Sequence, residues 1–276
     1  MTIWKDRVAI ATGASSGIGL SVARKLVALG ARVALVARTR EKLEAIAREL
    51  NGGGKGGAER AVAFPLDVKD RAGMQALPGR VVERFGRLDI VVNNAGTNHR
   101  GSVLERSAAD LVDILETNLV APILLTKAAL PHLPRGGVIV NVASLAGKVP
   151  VPHEATYSAS KAGLRAFARA LDVELRERGI HSRSVNPGPV DTGFFGEVSE
   201  VPDLVFSQPM STADEVADAV LRAIEGDALE VDVPVLSGRL ATLGYLSPKL
   251  FTALRPVFER RGAAAKAKFI AGKRGG

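Results

Sequence analysis

The sequence predicts an α/β fold: a doubly wound parallel sheet of about seven strands, in a single domain with a helical C-terminal extension. Three observations carry this. Short apolar runs alternate with amphipathic segments of helical length, the pattern of parallel strands joined by crossover helices. A glycine-rich turn joins the first apolar run to the first helical segment. The 276 residues include no cysteine, so an apolar core must hold the chain without disulfides or thiolate metal sites.

The expected strands are Val8 to Ala11, Arg32 to Ala37, Ala61 to Leu66, Ile90 to Val92, Val138 to Val142, His181 to Asn186 and Leu229 to Val233, with helices in the gaps. Asn51 to Gly57 holds five glycines in seven residues and reads as a surface connection. Met1 to Arg7 lacks the apolar core of a signal peptide, and no uninterrupted apolar run approaches the roughly 20 residues that span a bilayer. A cytoplasmic protein is expected, soluble or peripheral at a membrane.

Two motifs carry chemistry. After the first strand, Gly13-Ala14-Ser15-Ser16-Gly17-Ile18-Gly19 turns into the apolar-periodic segment Leu20 to Leu29, a geometry that brings backbone amides and a helix N-terminus to a pyrophosphate. Far downstream, Lys161 follows Tyr157 by four residues, so on a helix both side chains share a face and the ammonium can stabilise a phenolate. An unperturbed phenol, with a pKa of about 10, exchanges protons poorly near neutrality, so this pairing predicts a reaction centre beside a cofactor.

With Thr12 to Gly19 (TGASSGIG), Asn93-Asn94-Ala95-Gly96, Asn118, Ser144, Tyr157-Ser158-Ala159-Ser160-Lys161 and Asn186-Pro187-Gly188 in this order, the chain resembles the short-chain dehydrogenase/reductase family. The likeness spans residues 7 to about 195 and fades after Thr192. It implies a Rossmann-type catalytic domain over 1–236, including a substrate loop at 193–212, followed by an extension over 237–276. By resemblance, Tyr157 is the general acid/base, Ser144 orients the substrate oxygen, Lys161 holds the nicotinamide ribose and lowers the Tyr157 pKa, and Asn118 holds a relay water while interrupting its helix. The same resemblance assigns cofactor contacts to Gly13, Ser15, Ser16, Gly17, Ile18 and Gly19 at the phosphates and to Asp67 and Val68 at the adenine. It assigns Asn94, Ala95 and Gly96 to the ribose, and Pro187, Gly188, Val190 and Thr192 to the nicotinamide. Helix capping is the structural alternative for Asp67 and for Asp191 or Thr192.

At the end of the second strand, Ala37-Arg38-Thr39 replaces the acidic residue that would bond the ribose hydroxyls of NAD. Arg38 thus points to NADP, with NAD as the alternative cofactor; its other reading is a solvated residue opening the next helix. The histidines, His99, His132, His153 and His181, lack metal-ligand spacing, so no metal is expected. The net charge of +8 does not imply nucleic acid, because Arg239 to Gly276 holds nine Lys or Arg against Glu259 alone and the rest is formally neutral.

That basic tail interleaves Leu240, Leu243, Leu246, Leu250, Leu254 and Phe258 at near-helical intervals. Ser247-Pro248 should start a helix and Pro256 should break or kink it. Residues 247–276 either lie on an anionic membrane or cover the substrate pocket or a subunit interface. Phe194 to Met210, with Phe194, Phe195, Val198, Val201, Leu204, Val205, Phe206 and Met210, reads as an apolar lid or as core. The lid reading implies a hydrophobic ketone or secondary alcohol, handled with NADP(H) and Tyr157; the alternative is a non-catalytic NADP(H)-binding sensor or scaffold. A homodimer or homotetramer built on helices around Asp110 to Leu130 and Tyr157 to Arg178 is implied by the resemblance.

Overall fold

Seven parallel strands form one sheet in the computed structural model, which describes residues 4–52, 59–195 and 201–274. The leading residues 1–3, the glycine run beyond Gly52 and Val198 of the 193–212 loop lie outside these ranges. The strands are β1 (Val8–Thr12), β2 (Arg32–Ala37), β3 (Ala61–Pro65), β4 (Ile90–Asn93), β5 (Val138–Val142), β6 (His181–Pro187) and β7 (Glu230–Val233), in the order β3-β2-β1-β4-β5-β6-β7. The order reverses between β1 and β4, which opens a crevice beyond the carboxyl ends of the strands.

β1, β4 and β5 are buried along their whole length because helices cover both faces. On one face Ala9 and Ala11 pack with Val22 and Leu26 of α1 (Gly17–Ala28) and Val216 and Val220 of α7 (Ala213–Glu225). On the other, Val8 and Ile10 meet Met74, Leu77 and Val81 of α3 (Arg71–Phe85), Leu125 of α5 (Ala121–Ala129) and Leu171 of α6 (Ala155–Glu174). Burying a side chain of this size contributes about 1.5–3 kcal/mol, so the sheet fixes the ends of its strands rigidly. α2 (Arg40–Leu50) covers the β2–β3 edge, and α4 (Ala108–Leu115) runs through a π-turn, Glu116–Val120, into α5.

The tail forms α8 (Val235–Leu246) and α9 (Pro248–Arg274). The expected break at Pro256 is absent: α9 runs through it, and the chain turns instead at Ser247, just before Pro248 opens the new helix. A proline inside a helix removes one backbone bond and crowds the preceding turn. Here contacts on both sides of Pro256 hold the helix together: Phe251 stacks on Phe258 at 6.1 Å, and Arg255 bonds Glu259 at 2.7 Å. Further along, Gly262 lies flush on the Asp203 carbonyl, Lys266 Nζ donates to the Val201 carbonyl oxygen at 2.6 Å, and the Phe269 ring meets Phe206 at 5.6 Å. α9 is thus packed on the 193–212 loop, at the 3₁₀ turn Asp203–Ser207.

Candidate active site

A cleft of about 870 Å³ runs along the carboxyl edge of the sheet, lined by the glycine-rich turn and by α8 and α9. At the glycine-rich turn, the Thr12 hydroxyl ties β1 to the segment after β4. Its Oγ1 donates to the Val92 carbonyl and accepts from the Asn94 and Ala95 N–H groups, while Asn94 Nδ2 donates to the Thr12 carbonyl at 2.9 Å. Gly13 takes φ +68°, and its neighbour Gly19 leaves no room for a side chain, since a Cβ there would collide with the Gly13 carbonyl and stand 2.5 Å from Asn94 Nδ2. Gly19→Ala is therefore expected to cost about 1–3 kcal/mol of stability, readable by urea unfolding, and to weaken nucleotide binding.

The first turn of α1 has no side-chain cap, and Ser15, Ser16, Gly17 and Ile18 line the cleft there. An uncapped helix N-terminus reached over glycine offers N–H donors to an anion. A dinucleotide phosphate fits this end. Arg38, Asp67, Val68, Asn94, Ala95, Gly96, Pro187, Gly188, Val190 and Thr192 also line the cleft. Near Gly188, the buried Gln208 Oε1 lines the cleft and has no hydrogen-bond partner among the described residues, an acceptor suited to an amide group. Asp67 is not the helix cap: its carboxylate accepts from the Lys69 N–H, and Asp70 caps α3 through the Gly73 N–H. Arg38 is likewise outside α2, whose N-cap is Thr39.

Ser144, Tyr157 and Lys161 converge in the cleft. Tyr157 and Lys161 share one face of α6, with Lys161 Nζ 5.7 Å from the phenol ring centroid. Ser144 stands just beyond the end of β5, its hydroxyl donating to the Pro187 carbonyl at 3.3 Å and accepting from the Ala146 N–H at 3.1 Å. The turn that carries it, Leu145–Gly147, lies directly on α6 because Gly147 has no side chain: a Cβ would be 2.8 Å from the Ala162 N and the Lys161 carbonyl carbon. Asn118 sits in the π-turn, so the interrupted helical bonding expected there is present. Its side chain clamps Thr97, accepting from the N–H at 2.8 Å and donating to the carbonyl at 2.9 Å, and it donates to Ser160 at 3.2 Å.

The sequence profile of the family described as short chain dehydrogenase matches residues 7–203. The chain is a short-chain dehydrogenase. Among its relatives is the ketoacyl reductase HetN of Nostoc sp., 34% identical over 260 residues that cover 90% of this chain and 88% of the relative. Among solved structures, a variant of actinorhodin polyketide ketoreductase with NADPH is 35% identical, with a TM-score of 0.74 over 86% of this chain and 99% of that one. A short chain dehydrogenase from Burkholderia cenocepacia in complex with NADP is 33% identical, with a TM-score of 0.74 over 83% of this chain and 97% of that one. The protein is an NAD(P)-dependent oxidoreductase acting on a CH–OH group.

In this dehydrogenase the electrostatics correct one expectation. The Tyr157 phenol stands above its ordinary value, not below it. Burial, then the nearby Glu154 carboxylate, push it well up, and the Ser144 hydroxyl and the Arg100 charge oppose this only in part. Burial brings Lys161 down to about 8, and its Nζ donates to the Val142 carbonyl oxygen at 2.9 Å. Tyr157 therefore holds its proton firmly at neutral pH.

Sequence reasoning also missed an ion pair beside the phenol. Arg100, on the loop after β4, and Glu154, just before α6, are buried and bonded at 2.7 Å. Arg100 also reaches the 193–212 loop, with its guanidinium 5.6 Å from the Phe194 ring and a bond to the Phe194 carbonyl at 3.3 Å. Phe194 in turn lies 6.1 Å from the Tyr157 ring. The partners are 54 residues apart and belong to no local pattern, so only the fold reveals them. A buried pair of this kind is costly to break because either partner alone is left as an uncompensated charge.

Proposed function

We propose that the protein is an NADP(H)-preferring oxidoreductase that interconverts a hydrophobic ketone and its secondary alcohol, with Tyr157 as general acid/base. The observation that carries this reading is the placement of Ser144, Tyr157 and Lys161 in a cleft that is also walled by the apolar Val149, Leu204, Val205, Leu243, Phe251 and Phe258. Bound NADPH would supply the hydride. Ser144 and Tyr157 would hold the carbonyl oxygen by hydrogen bonds, and the Tyr157 proton passes to that oxygen as the alkoxide forms. A phenol that keeps its proton at neutral pH suits this donor role.

Lys161 would hold the ribose hydroxyls, and its charge becomes most useful when Tyr157 has given up its proton. Asn118 positions the Thr97 backbone behind Lys161 and Gly96, where a Cβ on Gly96 would approach Asn118 Oδ1 to 3.3 Å. The ketoacyl reductase names among the relatives support a ketone on an apolar carbon chain as the substrate class. Exposed Val112, Leu115, Leu124 and Val173 on the α4–α5 and α6 surfaces support a homo-oligomer built there.

The nucleotide preference rests on Arg38, which lines the cleft at the end of β2, is exposed and makes no ion pair among the described residues. A guanidinium there would pair with the extra phosphate of NADP. Arg38→Ala is expected to weaken NADPH binding by about 10- to 100-fold, as for a charged hydrogen bond, and to leave NADH binding unchanged. Titration of both nucleotides by fluorescence tests this. Equal affinity for the two in the unaltered protein would contradict the preference.

A further inference from the structure

Exposed apolar side chains gather at one end of the molecule. Of seventeen large hydrophobic residues exposed among the described residues, eight fall within residues 235–257, on α8 and the start of α9. Leu246 is 73% exposed, Tyr245 66% and Val257 62%, values no packed core position shows. Leu236, Leu240, Leu243 and Leu254 are exposed and also line the cleft. The apolar surface therefore runs without interruption from the outside of α8 and α9 into the cavity. A solvent-facing patch of this kind, continuous with a binding site, marks a surface that something apolar covers.

The surrounding charge says what covers it. Arg239, Lys249, Arg260, Arg261 and Lys268 are exposed and make no ion pair among the described residues, and Arg261 lines the cleft. Leu254, Val257, Arg261 and Lys268 share one face of α9 by their i, i+3, i+7 and i+14 spacing. The acid of this tail, Glu259, is already bonded to Arg255. A second copy would set these same five cations against themselves, since a two-fold interface apposes identical patches. Apolar side chains ringed by cations instead match the boundary between acyl chains and anionic headgroups. No helix among the described residues is long and apolar enough to cross a membrane, so the surface rests on the bilayer and does not span it.

We infer that the exposed face of α8 and α9 docks on an anionic lipid bilayer, with the mouth of the cleft opening onto the membrane so that substrate enters from the lipid phase. The docking stands on the surface alone. The entry of substrate rests on the apolar ketone reading above.

Flotation of the full chain with vesicles tests the docking without reference to turnover. Vesicles rich in phosphatidylglycerol are expected to carry the protein, and pure phosphatidylcholine vesicles are not. Reversing Arg239, Lys249 and Lys268 to Glu should lower the partition coefficient by about a hundredfold, and Tyr245→Ser with Leu246→Ser and Val257→Ser should abolish flotation. These positions are exposed and lie outside the cleft lining, so unchanged reduction of a water-soluble ketone verifies that the variants remain folded and competent. The same variants should lose rate only toward a ketone dissolved in the vesicles.

Failure of the unaltered protein to float with anionic vesicles overturns the docking. So does equal binding of the charge-reversed form, or a dimer in light scattering that the serine variants convert to monomer. Flotation without reduction of any ketone would sustain the docking and remove the substrate reading instead.

Discussion

Tyr157→Phe is expected to lower kcat for ketone reduction by about 10²–10⁴-fold, the usual contribution of a positioned general acid, while changing the Kd for NADPH less than about threefold. The substitution removes one hydroxyl. Among the described residues no side chain depends on that hydroxyl to hold its place, and the ring keeps its position beside Phe194. The fold should therefore persist, and the loss should fall on kcat, because the phenol is needed where charge develops on the carbonyl oxygen. Steady-state kinetics and isothermal titration of the nucleotide separate the two effects. Residual turnover within tenfold of the original would assign the proton to another donor.

Lys161→Met is expected to abolish reduction and yet to stabilise the protein at pH 7 by about 2 kcal/mol. The ammonium is buried, and its value falls from 10.5 to about 8. Such a shift corresponds to about 3 kcal/mol disfavouring the charged form, and loss of the bond to the Val142 carbonyl gives back about 1 kcal/mol. The sign follows from linkage. A lysine whose folded value lies below its unfolded one binds protons more weakly in the folded state, so the penalty is fully present below pH 8, shrinks between 8 and 10.5, and vanishes above. The stability gain of Lys161→Met over the unaltered protein should shrink in the same window. Denaturant unfolding across that pH range measures it, and a destabilised variant at pH 7 would show that the ammonium is better paired than its surroundings indicate.

The two effects have one source. The same burial that makes Lys161 costly in the fold places its charge where a phenolate would need it, so stability is given up at the proposed reaction site. In the unaltered protein this predicts that nucleotide affinity falls as pH rises through about 8, where Lys161 loses its proton.

The strands and the motif residues were legible because they are local. Val8 to Ala11 and Val138 to Val142 announce buried parallel strands by composition, and Gly13 to Gly19 announces its turn by spacing. Thr12, Asn118, Ser144, Tyr157 and Lys161 come together because each stands at or beside the carboxyl end of a strand or on a helix packed there. What was not legible depends on distant partners. Pro256 reads as a break in isolation, and α9 passes through it because Phe251, Phe258, Arg255 and Glu259 bridge the site and Gly262 seats the helix on Asp203. The phenol of Tyr157 reads as acidified by its sequence neighbour, and burial with Glu154 reverses that. Periodicity also could not tell which leucines of the tail line the cleft and which face outward, because Leu240, Leu243 and Leu254 do both.

The most direct test of the proposed chemistry is NADPH oxidation measured against a series of ketones of increasing hydrocarbon size, from acetone to bulky cyclic and long-chain members. The predicted result is kcat/KM rising by about tenfold for each 1.4 kcal/mol of added apolar contact, until the cleft is filled, with Tyr157→Phe inactive throughout. Tight NADPH binding without turnover of any member, and no difference between the unaltered protein and Tyr157→Phe, would contradict it and leave a nucleotide-binding protein that does not catalyse.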